Sequence, residues 1–195
     1  MSRLRKCNGA WPPNPSRTEV ELPDFVNLAH QPPPLPFLII GAYAVGAHGY
    51  TRSTFDVDFL VRRSEKDLWI QRIIGGELRL FSETRAFAQF TPSQPGDGLD
   101  LMFVDDPTFD RLWNASEQRE FRGHQARVPC LDHLIALKLH VLKQALPHRT
   151  AKDADDVEML ARNNHLNLRD PHYEELFLKY GSREIYETFL RILRT

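Results

Sequence analysis

The chain has 195 residues, 42% of them hydrophobic, and a formal net charge of −1, so it can bury a real core and is most simply one compact domain with an appendage. A near-neutral chain has no general electrostatic field for nucleic acid, so any RNA binding would need a local basic patch. Cys7 and Cys130 form no disulfide or metal pattern, and with no secretory leader or membrane span the sequence predicts a cytoplasmic protein.

Three segments are expected along the chain. Residues 1–22 carry prolines and basic side chains but little periodic apolar content, which predicts a flexible arm. An arm without a role is favoured over one that contacts RNA. Residues 23–128 are predicted to form the core, beginning with a short helix at Pro23–Gln31, and residues 129–195 a helical region packed on that core.

The first apolar run of the core meets a glycine at a strand-to-helix turn. Phe37–Ile40 is short and β-rich, Gly41 ends it, and the small residues of Ala42–His48 are typical of a helix. The first amides of a helix have no internal partners and lie at the positive end of its dipole, which suits a phosphate. We therefore expect the backbone of Gly41 and Ala42 to contact the phosphates of a nucleotide.

The chain then returns as a predicted strand, Arg52–Val61, with one polar and one apolar face. Because side chains alternate across a strand, Thr54, Asp56 and Asp58 share the polar face. Arg52 and Thr54 are expected to contact phosphate or to brace the carboxylates, and pinning of the loop is an equal alternative. The opposite face is predicted to be core and consists of Phe55, Val57 and Phe59.

Two neighbouring carboxylates indicate a metal site. Asp56 and Asp58 repel each other, and a hard divalent cation such as Mg²⁺ relieves that repulsion. This is favoured over two surface carboxylates on an edge strand, because Asp is a poor strand former. The third ligand is expected to be Asp100, which faces away from its apolar neighbours in the predicted strand Leu99–Val104. Three nearby carboxylates are the alternatives to Asp100: Asp97, Asp105 and Asp106.

The remaining elements complete a mixed sheet followed by helices. They are predicted at Ser64–Ile74 (helix, N-capped by Ser64), Ala86–Thr91 (strand), Pro107–Ala115 (helix), a hairpin around Gly123–His124, and the helices Leu131–Leu146, Ala151–Asn163, Pro171–Tyr180 and Arg183–Leu193. This order predicts an α/β fold of the α+β type, in which flanking helices cover a mixed β-sheet and a helical tail follows.

The C-terminal region supplies a candidate cation. Lys138 lies on the apolar stripe of its predicted helix with Leu134 and Val141, so its ammonium group needs a polar partner. We expect that partner to be the triphosphate of a nucleotide, and the alternative is solvent at the edge of the core. Asp153 lies early in the next predicted helix, where an interaction with the helix dipole and a role in the site are equally expected.

These motifs resemble the nucleotidyltransferase superfamily, whose fold is that of DNA polymerase beta and kanamycin nucleotidyltransferase. Its signature is a strand, a Gly-Gly or Gly-Ser turn, a helix, Asp-x-Asp on the next strand, and a later single Asp. In this chain the signature corresponds to Gly41–Ala42, Asp56–Asp58 and Asp100. The chain departs from the family at Ala42, because a serine there would offer its hydroxyl to a phosphate and alanine leaves only the backbone amide.

A narrower resemblance concerns the bacterial branch that includes the AbiEii-type toxins. It is carried by the segments His48–Asp58, Val128–Lys138 and Arg149–Val157, so that the whole resemblance covers most of residues 23–160. Similarity to this branch implies tRNA or another RNA as acceptor and a toxin role with an antitoxin protein as partner. The superfamily fold also serves small-molecule and protein acceptors.

The leading hypothesis is a nucleotidyltransferase that uses two Mg²⁺ ions, or Mn²⁺, to move a nucleoside monophosphate from an NTP to a hydroxyl acceptor. Asp56 and Asp58 would hold the metals, and Asp100 would share a metal and help to deprotonate the hydroxyl. Lys138 would neutralise the leaving triphosphate. The alternative hypothesis, which Ala42 supports, is a catalytically weak nucleotide-binding or partner-binding module that keeps the fold.

Overall fold

A computed structural model of the protein describes residues 21–74, 78–93, 96–144 and 147–193, without the side chains of residues 147–149. The strands are β1 (Leu38–Ile39), β2 (Asp56–Arg62), β3 (Leu78–Glu83), β4 (Phe87–Pro92), β5 (Gly98–Val104), β6 (Glu117–Phe121) and β7 (His124–Val128). The helices are α1 (Leu22–His30), α2 (Gly41–Ala47), α3 (Lys66–Ile74), α4 (Asp106–Asn114), α5 (Leu131–Lys143), α6 (Pro147–Asn163), α7 (Pro171–Tyr180) and α8 (Arg183–Ile192), with a single 3-10 turn at Arg63–Glu65 before α3.

Five strands form a mixed sheet in the order β1-β2-β5-β4-β3. The central pair, β2 and β5, is parallel, and the other neighbours are antiparallel. The remaining strands, β6 and β7, form a separate two-stranded hairpin. The predicted α/β fold with a mixed sheet and a helical tail is therefore confirmed.

Both faces of the central strand β2 are covered. Phe59 stacks on Phe37 with ring centroids 4.3 Å apart and meets the edge of the Trp69 ring of α3, within the larger core. Leu60 points to the opposite face and packs with Phe109 of α4 in a smaller cluster. Burial on both sides explains the continuous apolar run of this strand, and only its beginning carries carboxylates.

Among the C-terminal helices, α5 contacts both α6 and α7. Phe177 of α7 contacts Tyr186 and Phe189 of α8, and all three side chains are buried. The starts of α7 and α8 are capped, since the side chains of Asp170 and Ser182 each accept a hydrogen bond from a first-turn amide. No helix in the described ranges has the length and apolar content needed to cross a membrane.

Two local expectations were wrong, and one strand was missed. The strand predicted from Arg52 begins at Asp56, and the preceding Phe55 is 82% exposed instead of buried. Strand β3 was not predicted. Ser64 does not cap a helix, because its hydroxyl donates to the Asp106 carboxylate and α3 begins only at Lys66.

Two further boundaries differ from the sequence-based expectation. Helix α1 begins at Leu22, inside the segment predicted as an arm, while residues 1–20 lie outside the described residues. Helix α6 begins at Pro147 instead of Ala151, which places Asp153 in the second turn. A helix dipole acts within the first turn, so it does not account for Asp153.

Candidate active site

A row of polar side chains crosses three adjacent strands of the sheet. Asp58 on β2 lies directly opposite Asp100 on the parallel strand β5, and Asp100 lies opposite Gln89 on the antiparallel strand β4. Residues opposite each other in a sheet point to the same face. The Gln89 amide Nε2 donates to Asp100 Oδ2 over 3.0 Å. The structure thus brings together the two aspartates that were predicted on separate strands and adds Gln89, which was not predicted.

Gly41 lies against the Asp58 carboxylate. Its φ is +63°, and a Cβ built on it would lie 1.9 Å from Asp58 Oδ2. The Ile40 amide also donates to the Asp58 carbonyl oxygen, which holds the turn against β2. The predicted turn glycine is present, and its lack of a side chain serves the placement of Asp58 as well as the backbone conformation.

Asp56 occupies the exposed beginning of β2, on the same strand face as Asp58. Its register partner is Gly98, where an added Cβ would lie 2.7 Å from Asp56 Oδ1. The Thr54 hydroxyl lies 3.1 Å from the Asp56 carbonyl oxygen and 3.4 Å from its amide nitrogen. Thr54 therefore fixes the backbone at the strand start and does not hydrogen-bond the carboxylate.

The polar row borders a cavity of about 470 Å³. Apolar side chains of α5, including Leu134 and Leu137, form one wall, and Phe87 of β4 lies on another. The full lining is Ile40, Gly41, Asp58, Ser82, Thr84, Phe87, Gln89, Asp100, Met102, Leu134, Leu137, Lys138, Val141 and Asp153. We call this the carboxylate cavity. Its size and its mixture of apolar walls with a few polar groups are typical of small-molecule sites.

Three predicted nucleotide-binding residues, Ala42, Arg52 and Thr54, line a different cavity of about 430 Å³. The other residues around it are Tyr43, Gly46, Ala47, Thr51, Arg119, Glu120 and Phe121. We call this the α2 cavity. The site residues predicted from sequence are therefore divided, since Gly41, Asp58, Asp100 and Lys138 border the carboxylate cavity instead.

Lys138 is buried and paired with two carboxylates of α6. Its Nζ lies 2.6 Å from Asp153 Oδ1 and 2.7 Å from Asp156 Oδ2. Arg52 binds the same Asp156 through two nitrogens, at 2.7 and 3.0 Å. The sequence-based alternatives for Lys138, a triphosphate or solvent, did not include this network. Asp153 and Asp156 are three residues apart and thus share a helix face, which is the signal that could have indicated it.

Contacts within the network shift the pKa values of Asp156 and Arg52. Burial raises the pKa of Asp156, but the hydrogen bonds and charges of Arg52 and Lys138 outweigh this and hold the pKa below its ordinary value. Burial lowers the pKa of Arg52, and contact with Asp156 reverses the effect and raises it. Asp156 therefore remains ionised in the interior. Asp153 Oδ2 is buried and has no hydrogen-bond partner among the described residues.

The donor set of the carboxylate cavity is suited to a hard cation. Asp58 and Asp100 offer carboxylate oxygens on adjacent strands, which are the ligands that Mg²⁺ prefers. Within the described ranges, no group of three or more His, Cys, Asp or Glu side chains is arranged to hold a metal ion by itself. Mg²⁺ commonly uses one or two carboxylates and completes its shell with water and substrate phosphates. The pair therefore fits a cation that binds together with a nucleotide.

Comparison with known proteins shows which solved structures share this fold. The sequence matches no protein-family model and no curated protein. The structure is similar to that of ANT(2'')-Ia in complex with adenylyl-2''-tobramycin, with a TM-score of 0.60, 15% identity, and coverage of 82% of this chain and 94% of that one. It is also similar to lincomycin-bound LnuA, a lincosamide antibiotic adenylyltransferase, with a TM-score of 0.50, 12% identity, and coverage of 70% and 91%.

A solution structure of the antibiotic-resistance factor ANT(2'')-Ia gives the same result, with a TM-score of 0.60, 14% identity, and coverage of 86% of this chain and 92% of that one. At these identities the likeness shows a shared fold. It agrees with the resemblance to the nucleotidyltransferase superfamily that the motifs indicated, whereas the narrower resemblance to the AbiEii-type branch stays a prediction.

Proposed function

We propose that the protein is a Mg²⁺-dependent nucleotidyltransferase that moves a nucleoside monophosphate from an NTP to a hydroxyl acceptor and releases pyrophosphate. The observation that carries the proposal is the in-register pair Asp58 and Asp100 at a cavity, with the side-chain-free Gly41 against Asp58. A shared fold with solved nucleotidyltransferases supports it at a coarser level.

The carboxylates of the strands and the turn at Gly41 each have a role in this proposal. Asp58 and Asp100 would hold the cation, with Asp56 on the same strand face as a further ligand. Bound Mg²⁺ supplies charge stabilisation to the phosphate oxygens. Asp100 would take the proton of the acceptor hydroxyl. The oxygen of that hydroxyl then bonds to the α-phosphorus while the bond from the α-phosphorus to pyrophosphate breaks. The backbone amide of Gly41, which borders the carboxylate cavity, would contact the phosphates, whereas Ala42 borders the α2 cavity.

The cavity favours a small acceptor over an RNA chain. Among the described residues that line it, Lys138 is the one cation of Lys or Arg type, and Asp153 and Asp156 neutralise it. RNA backbones are bound chiefly through cationic side chains, which this lining does not supply. Apolar residues of α5 next to carboxylates suit a compact hydroxyl compound with apolar or cationic parts.

The RNA acceptor, the toxin role and an antitoxin partner follow only from the resemblance to AbiEii-type proteins, and they form the competing version of the proposal. The two versions differ in where the nucleotide label is found after the reaction. They share the donor, the metal and the carboxylates.

Incubation of the full chain with each α-labelled NTP and Mg²⁺ tests the proposal, with tobramycin, lincomycin and total RNA as separate acceptors. We expect label on a small acceptor, and a loss of at least about 100-fold in Asp58→Asn, because even residues behind a metal ligand contribute 10- to 100-fold. Asp67→Asn is the matched control, since Asp67 is an exposed carboxylate on α3, outside the polar row.

Each result leads to one conclusion. Label on RNA would support the toxin-like version. Induced expression of the protein in bacteria would then be expected to arrest their growth. Stabilisation by ATP and Mg²⁺ without transfer to any acceptor in the panel would favour the nucleotide-binding module that Ala42 suggested. If neither binding nor transfer is observed, the proposal is wrong.

A further inference from the structure

Asp100 has a register partner on each side within the sheet. Asp58 lies opposite it on β2, and Gln89 lies opposite it on β4. The Gln89 amide donates to Asp100 Oδ2 at 3.0 Å, a normal hydrogen-bond length. The alternation of β4 fixes this direction, because Ala88 and Phe90 on either side of Gln89 are buried in the core.

We propose that Gln89 is a positioning residue that orients the Asp100 carboxylate toward the cation and the acceptor hydroxyl. This inference rests on the proposed function. The terminal torsion of an aspartate is broad, so a free carboxylate samples many orientations. The hydrogen bond from Gln89 to Oδ2 restricts that rotation. Partners behind a metal ligand commonly act in this way.

The position of Gln89 separates this role from a structural one. The side chain is exposed and borders the carboxylate cavity, so its removal creates no void in the core. Thr91 provides the matched comparison, because it is exposed on the same face of β4, two residues further along the strand. A role in strand stability alone would be shared by both positions.

Titration of the full chain with Mn²⁺, followed by the electron paramagnetic resonance of the free ion, tests the inference without an acceptor. Gln89→Leu is expected to weaken Mn²⁺ binding about tenfold, the lower end of the usual effect of such partners. Thr91→Val should bind as the wild type does. Thermal unfolding of both variants should stay close to wild type, which excludes misfolding as the cause of a loss.

A shorter amide sharpens the test. Gln89→Asn keeps the amide group, but its side chain is one methylene shorter and does not reach Asp100. It should therefore weaken Mn²⁺ binding as Gln89→Leu does. Wild-type affinity in Gln89→Asn would mean that polarity and not the contact matters, which overturns the inference. Wild-type affinity in Gln89→Leu overturns it as well and leaves the proposed function intact. If the wild type binds Mn²⁺ only together with a non-hydrolysable ATP analogue, the variants are compared in the presence of that analogue. If it binds no Mn²⁺ even then, the metal site fails, and the proposed function and this inference are both overturned.

Discussion

Two pairs of aspartates, one on the strands and one on α6, are held in different ways, and both pairs contribute to the lining of the carboxylate cavity. Asp153 and Asp156 on α6 are 2% and 0% exposed, and Lys138 bridges them through close ion pairs. Asp58 and Asp100 are half-buried and face the cavity, and strand register sets their spacing. The pair on α6 has its counter-charges built into the fold, whereas the pair on the strands lies beside Gly41, which is against Asp58, and Gln89, which donates a hydrogen bond to Asp100.

This difference indicates which pair maintains the structure and which serves chemistry. Removing one member of a buried ion network leaves its partners charged in the interior, so the cost falls on folding. Removing a carboxylate that faces a cavity costs the fold little and relieves repulsion from its neighbour. The predictions below change Asp156 in the pair on α6 and then the turn beside Asp58, beginning with the largest expected effect on stability.

Asp156→Ala should be the most damaging change, because it leaves Arg52 and Lys138 without their shared carboxylate. Breaking a buried pair typically costs about 3–5 kcal/mol. Urea unfolding would measure the loss. Asp155→Ala is the control, since this exposed neighbour accepts a single hydrogen bond from Tyr50 and should cost about 1 kcal/mol or less. Equal losses in the two variants would contradict a stabilising network.

The same carboxylate predicts a pH dependence. The pKa of Asp156 is lowered, because Arg52 and Lys138 outweigh the opposing effect of burial. A group with a lowered pKa contributes stability above its unfolded pKa and loses that contribution as the pH falls through the folded value. The wild type should therefore lose stability more steeply than Asp156→Ala as the pH is lowered from about 5 to 2. Parallel curves for the two proteins would show that the pKa of Asp156 is not lowered by folding.

The strand-borne pair could be predicted from sequence because its geometry is local. Alternation along β2 and β5 gave the facing of Asp58 and Asp100, and the small residues after Gly41 gave the turn. The alternating pattern of the strand was wrongly extended to Phe55. The strand begins one residue later, so the pattern does not apply to Phe55, and its ring is exposed. Local patterns thus identified the face of each strand more reliably than its ends.

The helix-borne network could not be predicted in the same way. Lys138 and Asp156 lie on different helices, and the partner Arg52 comes from a loop more than 100 residues away in the sequence. Such pairing depends on how α5 and α6 pack, which no local period encodes. Gln89 escaped prediction for a related reason, because its contact with Asp100 depends on the register between β4 and β5.

Gly41→Ala should have the next largest effect, and it should link stability to the site. The φ of +63° makes any side chain costly, and the new Cβ would lie 1.9 Å from Asp58 Oδ2. We expect a loss of about 1–3 kcal/mol from backbone strain together with displacement of Asp58. Thermal unfolding with and without ATP and Mg²⁺ would measure both effects.

Gly123→Ala separates these two contributions. Gly123 has a φ of +84°, and an added Cβ meets no atom of the described structure within 4 Å. It should therefore show the strain alone and keep the wild-type stabilisation by ATP and Mg²⁺. If Gly41→Ala also keeps that stabilisation, the close contact with Asp58 does not matter for nucleotide binding.

Ala42→Ser should have the smallest effect. The resemblance to nucleotidyltransferases implies that a serine here would contact a phosphate, yet Ala42 is 5% exposed and borders the α2 cavity. A hydroxyl there can bond to the backbone of its own helix, so we expect a stability loss of about 1 kcal/mol or less. Affinity for ATP with Mg²⁺, measured by calorimetry, should change less than about twofold, which is under 0.5 kcal/mol. A tenfold gain would instead place a phosphate against residue 42, and the nucleotide would then extend from the carboxylate cavity toward the α2 cavity.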